Sequence, residues 1–331
     1  MIKKLFLLPA IAALMSCGTA KPTDDNHAGM FENPVVRLDV PDPTIMRVGK
    51  TYYMASTSNN LRDKDSRESN YPLFKSKDLV NWQQIGFVLP QKPGWTINSF
   101  WAPELIKIGN KYHCYYTARN KETNQSGIGV AVADKPEGPY EDHGQLIKWT
   151  NEAIDAFVFL DNDGQLYVSW KAYGLDPRPI ELLAQRLSPD GLTLEGEAFS
   201  LMKDDEGIGM EGQCHFYKNG YYYILYSARD CCSPKSDYEV RVARSKTYAG
   251  PYEKYEFNPI LKGDGRDIQS CGHGTLVTTP DGRYYYLCHC YVAGAYDAGR
   301  QAMLQQLVVC DDGWPHFVTG NRTRRWQPLP F

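Results

Sequence analysis

The sequence lacks a positive charge excess, a long apolar run and a regular cysteine pattern. Its 331 residues carry 36 lysines and arginines against 39 aspartates and glutamates, and the formal net charge is −3. The absence of a basic patch argues against nucleic-acid binding. The apolar run at residues 5–15 is too short to span a bilayer by itself. No segment predicts a convincing helix or an interdomain linker, so we expect one domain despite the length.

The nine cysteines do not have the spacing of a disulfide scaffold. Cys288-His289-Cys290 resembles half of a metal site, but no second Cys/His pair lies at a suitable distance along the chain. Buried free thiols are therefore expected. Cys231 and Cys232 lie together in a predicted loop, and a disulfide between this pair and Cys271 is an open alternative.

Aromatic residues are abundant, with 23 tyrosines and 13% aromatics in total, and they occur in a repeated pattern. Five times, a polar residue precedes a short β-like run, a turn with glycine, and a second, mostly aromatic run, which is the pattern of a β-hairpin. The turn glycines are Gly49, Gly109, Gly164, Gly220 and Gly282. A period of roughly 55–60 residues is typical of propeller repeats. The sequence thus predicts an all-β, five-bladed β-propeller with four-stranded antiparallel blades.

Each repeat has its polar residue near the start of the first strand. These residues are Asp42, Glu104, Asp155, Glu211 and His273. Because first strands line the axis of a propeller, we expect the five side chains to meet at one mouth of the channel. Crowded carboxylates push their pKa values apart, which suits general acid–base catalysis. Cation binding and simple capping of turns remain alternatives for acids in these positions.

The N-terminus has the features of a targeting segment. Lys3 and Lys4 precede the apolar run, which ends in Leu14-Met15-Ser16-Cys17. This pattern resembles a bacterial lipoprotein signal, with an ordinary secretory signal as the alternative. We expect a signal peptide at residues 1–16, a flexible tether at 17–32 and the propeller at 33–331. Cys17 would then anchor an exported protein to a membrane, in the periplasm or on the cell-surface face of the outer membrane.

Several motifs together resemble glycoside hydrolase family 43. They are Asp42-Pro43-Thr44-Ile45, Trp101-Ala102-Pro103-Glu104, the segment 154–161, Met210-Glu211-Gly212, Gly272-His273-Gly274-Thr275 and Gly299-Arg300-Gln301. The similarity covers the chain from about Asn33 to the C-terminus, with order and spacing intact. It implies a five-bladed propeller that hydrolyses glycosides with inversion of configuration.

The resemblance also implies roles for six residues. Asp42 is expected to be the general base, Glu211 the general acid, and Asp155 the residue that orients the acid and tunes its pKa. Trp101 and Arg300 are expected to bind the sugar.

His273 matches an axial histidine that, in many family members, lies beside calcium or another ion in the channel. No cofactor is expected to be required for the chemistry. Glu104 is left outside the catalytic set.

Departures from the family's usual residues occur beside the acids, at Ala156 and at Gly212-Gln213-Cys214, so the substrate is open. We expect an exo-acting, monomeric α-L-arabinofuranosidase that acts on plant-type polysaccharides or oligosaccharides. The alternatives are a β-xylosidase, an endo-arabinanase or a galactan-directed hydrolase on the same fold. A carbohydrate-binding propeller without turnover is a third possibility, which the retention of all three acids disfavours.

Overall fold

The computed structural model describes residues 27–59, 69–149, 152–172 and 180–331. The predicted signal peptide, Cys17 and most of the charged loop at 59–70 lie outside these ranges. Within them, the sole helix is a short 3-10 turn at Tyr296–Ala298. None of the described residues forms a helix with the length and apolar character that crossing a membrane requires.

Five antiparallel sheets follow one another along the chain, which confirms the predicted five-bladed β-propeller. Blade one consists of β2 (Thr44–Val48), β3 (Thr51–Ala55), β4 (Asn70–Ser76) and β5 (Gln83–Leu89). Blade two consists of β6 (Trp101–Ile108), β7 (Lys111–Arg119), β8 (Ser126–Ala133) and β9 (Glu141–Ile147). Blade three consists of β10 (Ala153–Leu160), β11 (Leu166–Ala172), β12 (Glu181–Leu187) and β13 (Leu194–Lys203). The last two consist of β14 (Glu211–Lys218), β15 (Tyr221–Ala228), β16 (Glu239–Ser245), β17 (Glu253–Lys254) and β18 (Leu261–Lys262); and β19 (Ile268–Thr278), β20 (Tyr284–Val292), β21 (Gln301–Val309) and β22 (Pro315–Phe317).

The first strand of each blade lies at the axis. β2, β6, β10, β14 and β19 contact one another in sequence around a ring. Each is joined to the second strand by a tight hairpin, as in blade four, where Asn219 and Gly220 have φ values of 52° and 80°. Two consecutive positive φ values define the turn that suits the twist of a hairpin. The second strands bury large aromatic side chains between blades, among them Tyr115, Trp170 and Tyr286.

The ring is closed by the N-terminal segment. β1 (Met30–Glu32) pairs with β23 (Trp326–Pro328), so the last three residues of the predicted tether form a strand. Phe31 is buried in this sheet. The side chain of Asn33 then donates to the carbonyl of Leu304 and accepts from its N–H, both at 2.9 Å. This closure brings the segment before Asp42 against blade five.

The cysteines agree with the prediction of free thiols, with one correction. Cys231 and Cys232 form a disulfide with each other, and Cys271 is free and buried. Cys288 and Cys290 are also free and buried. Because both cysteines of the loop are used in this bond, the alternative pairing with Cys271 is wrong.

Candidate active site

A bend in the first strand of every blade builds the mouth of the channel. One residue in each blade has a positive φ there, although only one of the five is a glycine. These residues are Asp42, Ala102, Asp155, Gly212 and His273, with φ between 40° and 59°. In blades two to five the strand pairing shifts register at this point. Such a bulge turns side chains away from the normal alternation, so the bends direct them towards the axis.

A second ring of residues supports the bends from the second strands. In four blades this residue faces the one just before the bend: Thr117 faces Trp101, Lys171 faces Ile154, Ser227 faces Glu211 and His289 faces Gly272. In blade one the support is Thr57, whose N–H donates to the carbonyl of Pro41.

Four of these support residues accept a backbone hydrogen bond from the bend of the next blade. Thr57 accepts from Ala102 at 2.8 Å, Thr117 from Asp155 at 3.1 Å and Ser227 from His273 at 2.8 Å. His289 Nδ1 accepts from the N–H of Asp42 at 3.1 Å. Burial lowers the pKa of His289 to about 4, so its ring is neutral and can accept. The rings therefore fix the backbone of the mouth.

The prediction that all five polar residues hold one phase is wrong for two of them. Glu211 comes one residue before the bend at Gly212, and Glu104 two residues after the bend at Ala102. Glu104 consequently lies below the mouth, where it accepts a hydrogen bond from Thr44 Oγ1 at 2.7 Å. Burial raises the pKa of Glu104 to about 8. The structure thus separates Glu104 from the other acids, as its exclusion from the catalytic set requires.

Asp42 is surrounded by donors and cations. Thr57 Oγ1 donates to its Oδ2 at 2.6 Å, and Arg300 donates to its Oδ1 at 3.0 Å. His273 Nδ1 lies 3.4 Å from the same Oδ1. Burial alone would raise the pKa of this carboxyl, but Arg300, with a smaller contribution from His273, holds the pKa well below its usual range. Asp42 is therefore an ionised carboxylate, as a general base must be.

Asp155 has the opposite character. Its Oδ2 accepts the backbone N–H of Gly212 at 3.3 Å, and its carbonyl accepts the Gln213 amide at 2.5 Å. Burial, together with the negative charges of Glu211 and Asp42, raises the pKa of Asp155 to about 6, against the lowering effect of His273 and Lys171. Asp155 is thus the acid of the cluster that takes up a proton most readily.

Glu211 is paired with two donors. The Lys171 ammonium donates to its Oε2 at 2.5 Å, and the Tyr238 hydroxyl donates to its Oε1 at 2.8 Å. Although burial raises the pKa of Glu211, Lys171 and Tyr238, with a contribution from His273, hold the pKa below its ordinary value. The neighbouring carboxylates by themselves would have the reverse effect and raise the pKa of Glu211.

Lys171 and Tyr238 are the site residues that the sequence pattern did not identify. A signal for Lys171 exists: Thr117, Lys171 and Ser227 each follow an aromatic residue and precede alanine in a second strand. Lys171 is the exception in this pattern, because the other two residues have a hydroxyl group. Tyr238 has no comparable signal, because it lies in an irregular segment before β16.

The two predicted sugar-binding residues both lie at this end of the channel. Arg300 contacts Asp42, and its backbone N–H donates to Asp39 at 2.9 Å. Trp101 occupies the position in blade two that Glu211 occupies in blade four, and it is 36% exposed. A large aromatic surface open to solvent beside the acids can stack on a sugar ring.

His273 lies between two carboxylates, with Nδ1 3.4 Å from Asp42 and 3.9 Å from Asp155. In the described part of the chain, no group of three or more histidine, cysteine, aspartate or glutamate side chains is placed to hold a metal ion. An ion near His273 stays a prediction.

The cluster contains two carboxyl groups with lowered pKa values, Asp42 and Glu211, and one with a raised pKa, Asp155. The side chain of Glu211 is 19% exposed, whereas those of Asp42 and Asp155 are 9% and 8% exposed. Glu211 is thus the acid most open to a bound molecule. Two carboxyl groups that can respectively accept and donate a proton are what hydrolysis of a glycosidic bond requires.

Comparisons with known proteins agree with this geometry. Residues 31–315 match the family described as "Glycosyl hydrolases family 43". A non-reducing end α-L-arabinofuranosidase of Bacteroides ovatus is 30% identical over 86% of this chain, which spans 53% of that protein. An extracellular endo-α-(1→5)-L-arabinanase of Bacillus subtilis is 28% identical over 83% of this chain and 87% of its own length.

A solved structure shows the same architecture. The crystal structure of a thermostable family-43 glycoside hydrolase superimposes with a TM-score of 0.79 at 27% identity, covering 91% of this chain and 99% of that one. The family match at residues 31–315 extends over most of the chain and includes Asp42, Asp155 and Glu211. The protein therefore belongs to glycosyl hydrolase family 43.

Proposed function

We propose that the protein is an exo-acting, inverting hydrolase that removes arabinofuranosyl or related pentosyl units from plant-type polysaccharides or oligosaccharides. The observation that carries the proposal is the electrostatic asymmetry of the cluster. Asp42 is held ionised by Arg300, whereas Asp155 has a pKa raised by burial to about 6. Asp42 thus suits the base, Glu211 is the acid most open to a bound sugar, and Asp155 beside it can raise the pKa of Glu211 through its charge.

In the proposed reaction, Asp42 takes a proton from a water molecule as the water oxygen bonds to the anomeric carbon. The bond between that carbon and the leaving oxygen breaks, and Glu211 supplies the proton that the leaving oxygen needs. Glu211, which the free site holds ionised, takes this proton from solvent before the bond breaks. Asp42 ends protonated and Glu211 ionised, so protons and charge balance. Asp155 touches neither reacting atom in this scheme and acts on the acidity of Glu211 through its charge.

The choice of sugar is supported by the Bacteroides ovatus relative, which is named as a non-reducing end α-L-arabinofuranosidase. The Bacillus subtilis relative, named as an endo-arabinanase, favours internal cleavage of arabinan as the second candidate. Aryl arabinofuranoside, xyloside and galactoside, together with debranched arabinan, separate these activities. Release of single arabinose units is expected, and oligosaccharide products from debranched arabinan would favour the endo-acting alternative. No turnover on any substrate would favour a binding protein.

Two variants test the assignment of acid and base. Glu211→Ala is expected to spare aryl glycosides with good leaving groups more than natural glycosides, because a good leaving group needs little protonation. Asp42→Ala is expected to lower activity on both kinds of substrate, since water must be activated in either case. Equal losses for both variants on every leaving group would show that the roles are wrongly assigned.

The location of the protein is a separate part of the proposal. We propose export and lipid attachment at Cys17, on the basis of the lipoprotein-like sequence that ends at this residue. Cys17→Ala should move the protein from the membrane fraction to the soluble fraction of cells. The proposal fails if the unaltered protein incorporates no labelled lipid. Gel filtration of the protein without residues 1–17 would test the expected monomer.

A further inference from the structure

Lys171 breaks the pattern of the ring that supports the mouth. The equivalent residues of the other blades are Thr57, Thr117, Ser227 and His289, and each accepts the backbone N–H of the next bend. An ammonium group has three donors and no acceptor. Lysine therefore cannot make the bond that the other four make. Its side chain is only 6% exposed, so the charge requires a partner within the site.

The missing acceptor is replaced by a carboxylate. The N–H of Gly212, which in the repeat pattern would bond the second strand of blade three, instead donates to Asp155 Oδ2 at 3.3 Å. Lys171 is therefore linked to the placement of Asp155 as well as to that of Glu211. The side chain of Lys171 thus affects both Asp155 and Glu211.

The contacts of Glu211 show how Lys171 bears on its protonation. Both carboxylate oxygens accept a hydrogen bond, Oε2 from Lys171 and Oε1 from Tyr238. The titratable groups facing Glu211 are Lys171 from β11, Asp155 from β10, His273 from β19 and Tyr238 from the segment before β16. A general acid has to carry a proton, and the Lys171 ammonium beside Oε2 opposes proton uptake because it stabilises the ionised form of Glu211.

We infer that Lys171 is a positioning residue that holds Glu211 as an ion-paired carboxylate until a bound sugar separates the two groups. The ion pair stands on geometry alone, whereas its catalytic meaning rests on the proposed function. Lys171 thereby limits proton donation to the substrate-bound state. It also keeps Glu211 in a single orientation towards the mouth, since the ammonium holds Oε2 and the phenol holds Oε1.

The test measures the titration of Glu211 directly, in protein labelled with 13C at the glutamate side-chain carboxyl. Loss of one resonance in Glu211→Gln assigns the signal. Lys171→Met removes the charge and keeps the length of the side chain, and Lys171→Thr restores the hydroxyl that blades one and two carry. In both variants the apparent pKa of Glu211 should rise by about one unit, a tenfold change in its ionisation ratio. Two lysine variants guard against failure of one to fold.

Of two control variants, one keeps the positive charge at residue 171 and the other removes the charge of a different lysine. Lys171→Arg should leave the titration of Glu211 near its original midpoint. Lys203→Met removes a lysine of the same blade whose side chain is 62% exposed and pairs with Glu181, and it should have no effect. An unchanged Glu211 titration in the folded Lys171→Met or Lys171→Thr protein overturns the inference.

The pH dependence of kcat/KM on a natural glycoside provides the second measurement. A raised pKa of Glu211 should move the alkaline limb of Lys171→Met to higher pH, because the general acid keeps its proton longer. If the Glu211 titration shifts in the Lys171 variants but the unaltered protein hydrolyses no glycoside, the proposed function is wrong and the inferred ion pair is supported. If the unaltered protein hydrolyses glycosides but the Glu211 titration does not shift, the inference is wrong and the proposed function is unaffected.

Discussion

Replacing Asp155 by asparagine should make the protein more stable at neutral pH while making it a poorer enzyme. Burial raises the pKa of Asp155 to about 6, compared with 3.8 for an unhindered aspartate. Each pKa unit corresponds to about 1.4 kcal/mol, so the ionised carboxylate costs about 3 kcal/mol of folding free energy. Asparagine has nearly the same shape, and its carbonyl can still accept the N–H of Gly212.

The sign of this effect follows from proton binding. The folded protein binds more protons at Asp155 than the unfolded chain does between about pH 4 and pH 6, so its stability falls as pH rises through this window. The amide in Asp155→Asn does not titrate. The variant should therefore match the parent protein near pH 4 and exceed it by about 3 kcal/mol near pH 7, with Tm higher by on the order of 5 °C.

Urea unfolding at the two pH values measures the difference, and Asp163→Asn in the exposed turn of the same blade controls for the loss of one negative charge. Kinetics complete the test. Removing the charge of Asp155 should lower the pKa of Glu211 and move the alkaline limb of kcat/KM to lower pH. A stability difference that is the same at both pH values, with an unchanged pH profile, would show that Asp155 only supports its strand.

Two further acids give related predictions. Arg300→Met should raise the pKa of Asp42 and shift the acidic limb of kcat/KM to higher pH, because the base loses the cation that keeps it ionised. Arg300→Lys keeps a cation and should shift the acidic limb less. Coincident pH profiles of the two variants would contradict the role given to the charge of Arg300. Burial raises the pKa of Glu104 to about 8, so parental stability should fall between about pH 5 and pH 8 through this residue. Glu104→Gln should remove that fall and be more stable by about 4 to 5 kcal/mol above pH 8 in urea unfolding, and an unaltered pH dependence would argue against a buried protonated Glu104.

The sequence alone was sufficient for the fold, because the information in a propeller is local. Each blade begins with a hairpin whose turn glycine and aromatic second strand lie within about twenty residues, and the pattern occurs five times. Repetition also placed Asp42 and Asp155 at equivalent bends, where the structure has them. The same reasoning failed for Glu104, since a displacement of two residues along a strand at a bulge is not visible in a pattern.

The location of the proton was decided only by tertiary structure. Glu211 is ionised because an ammonium 40 residues away and a phenol 27 residues away in the chain both donate to it. Asp42 is ionised because closure of the ring brings Arg300 to it across 258 residues. A pKa depends on burial and on charges within a few ångströms, and neither has a local trace in the sequence. The sequence thus determined which acids the site contains, and the closed propeller decided which of them carries a proton.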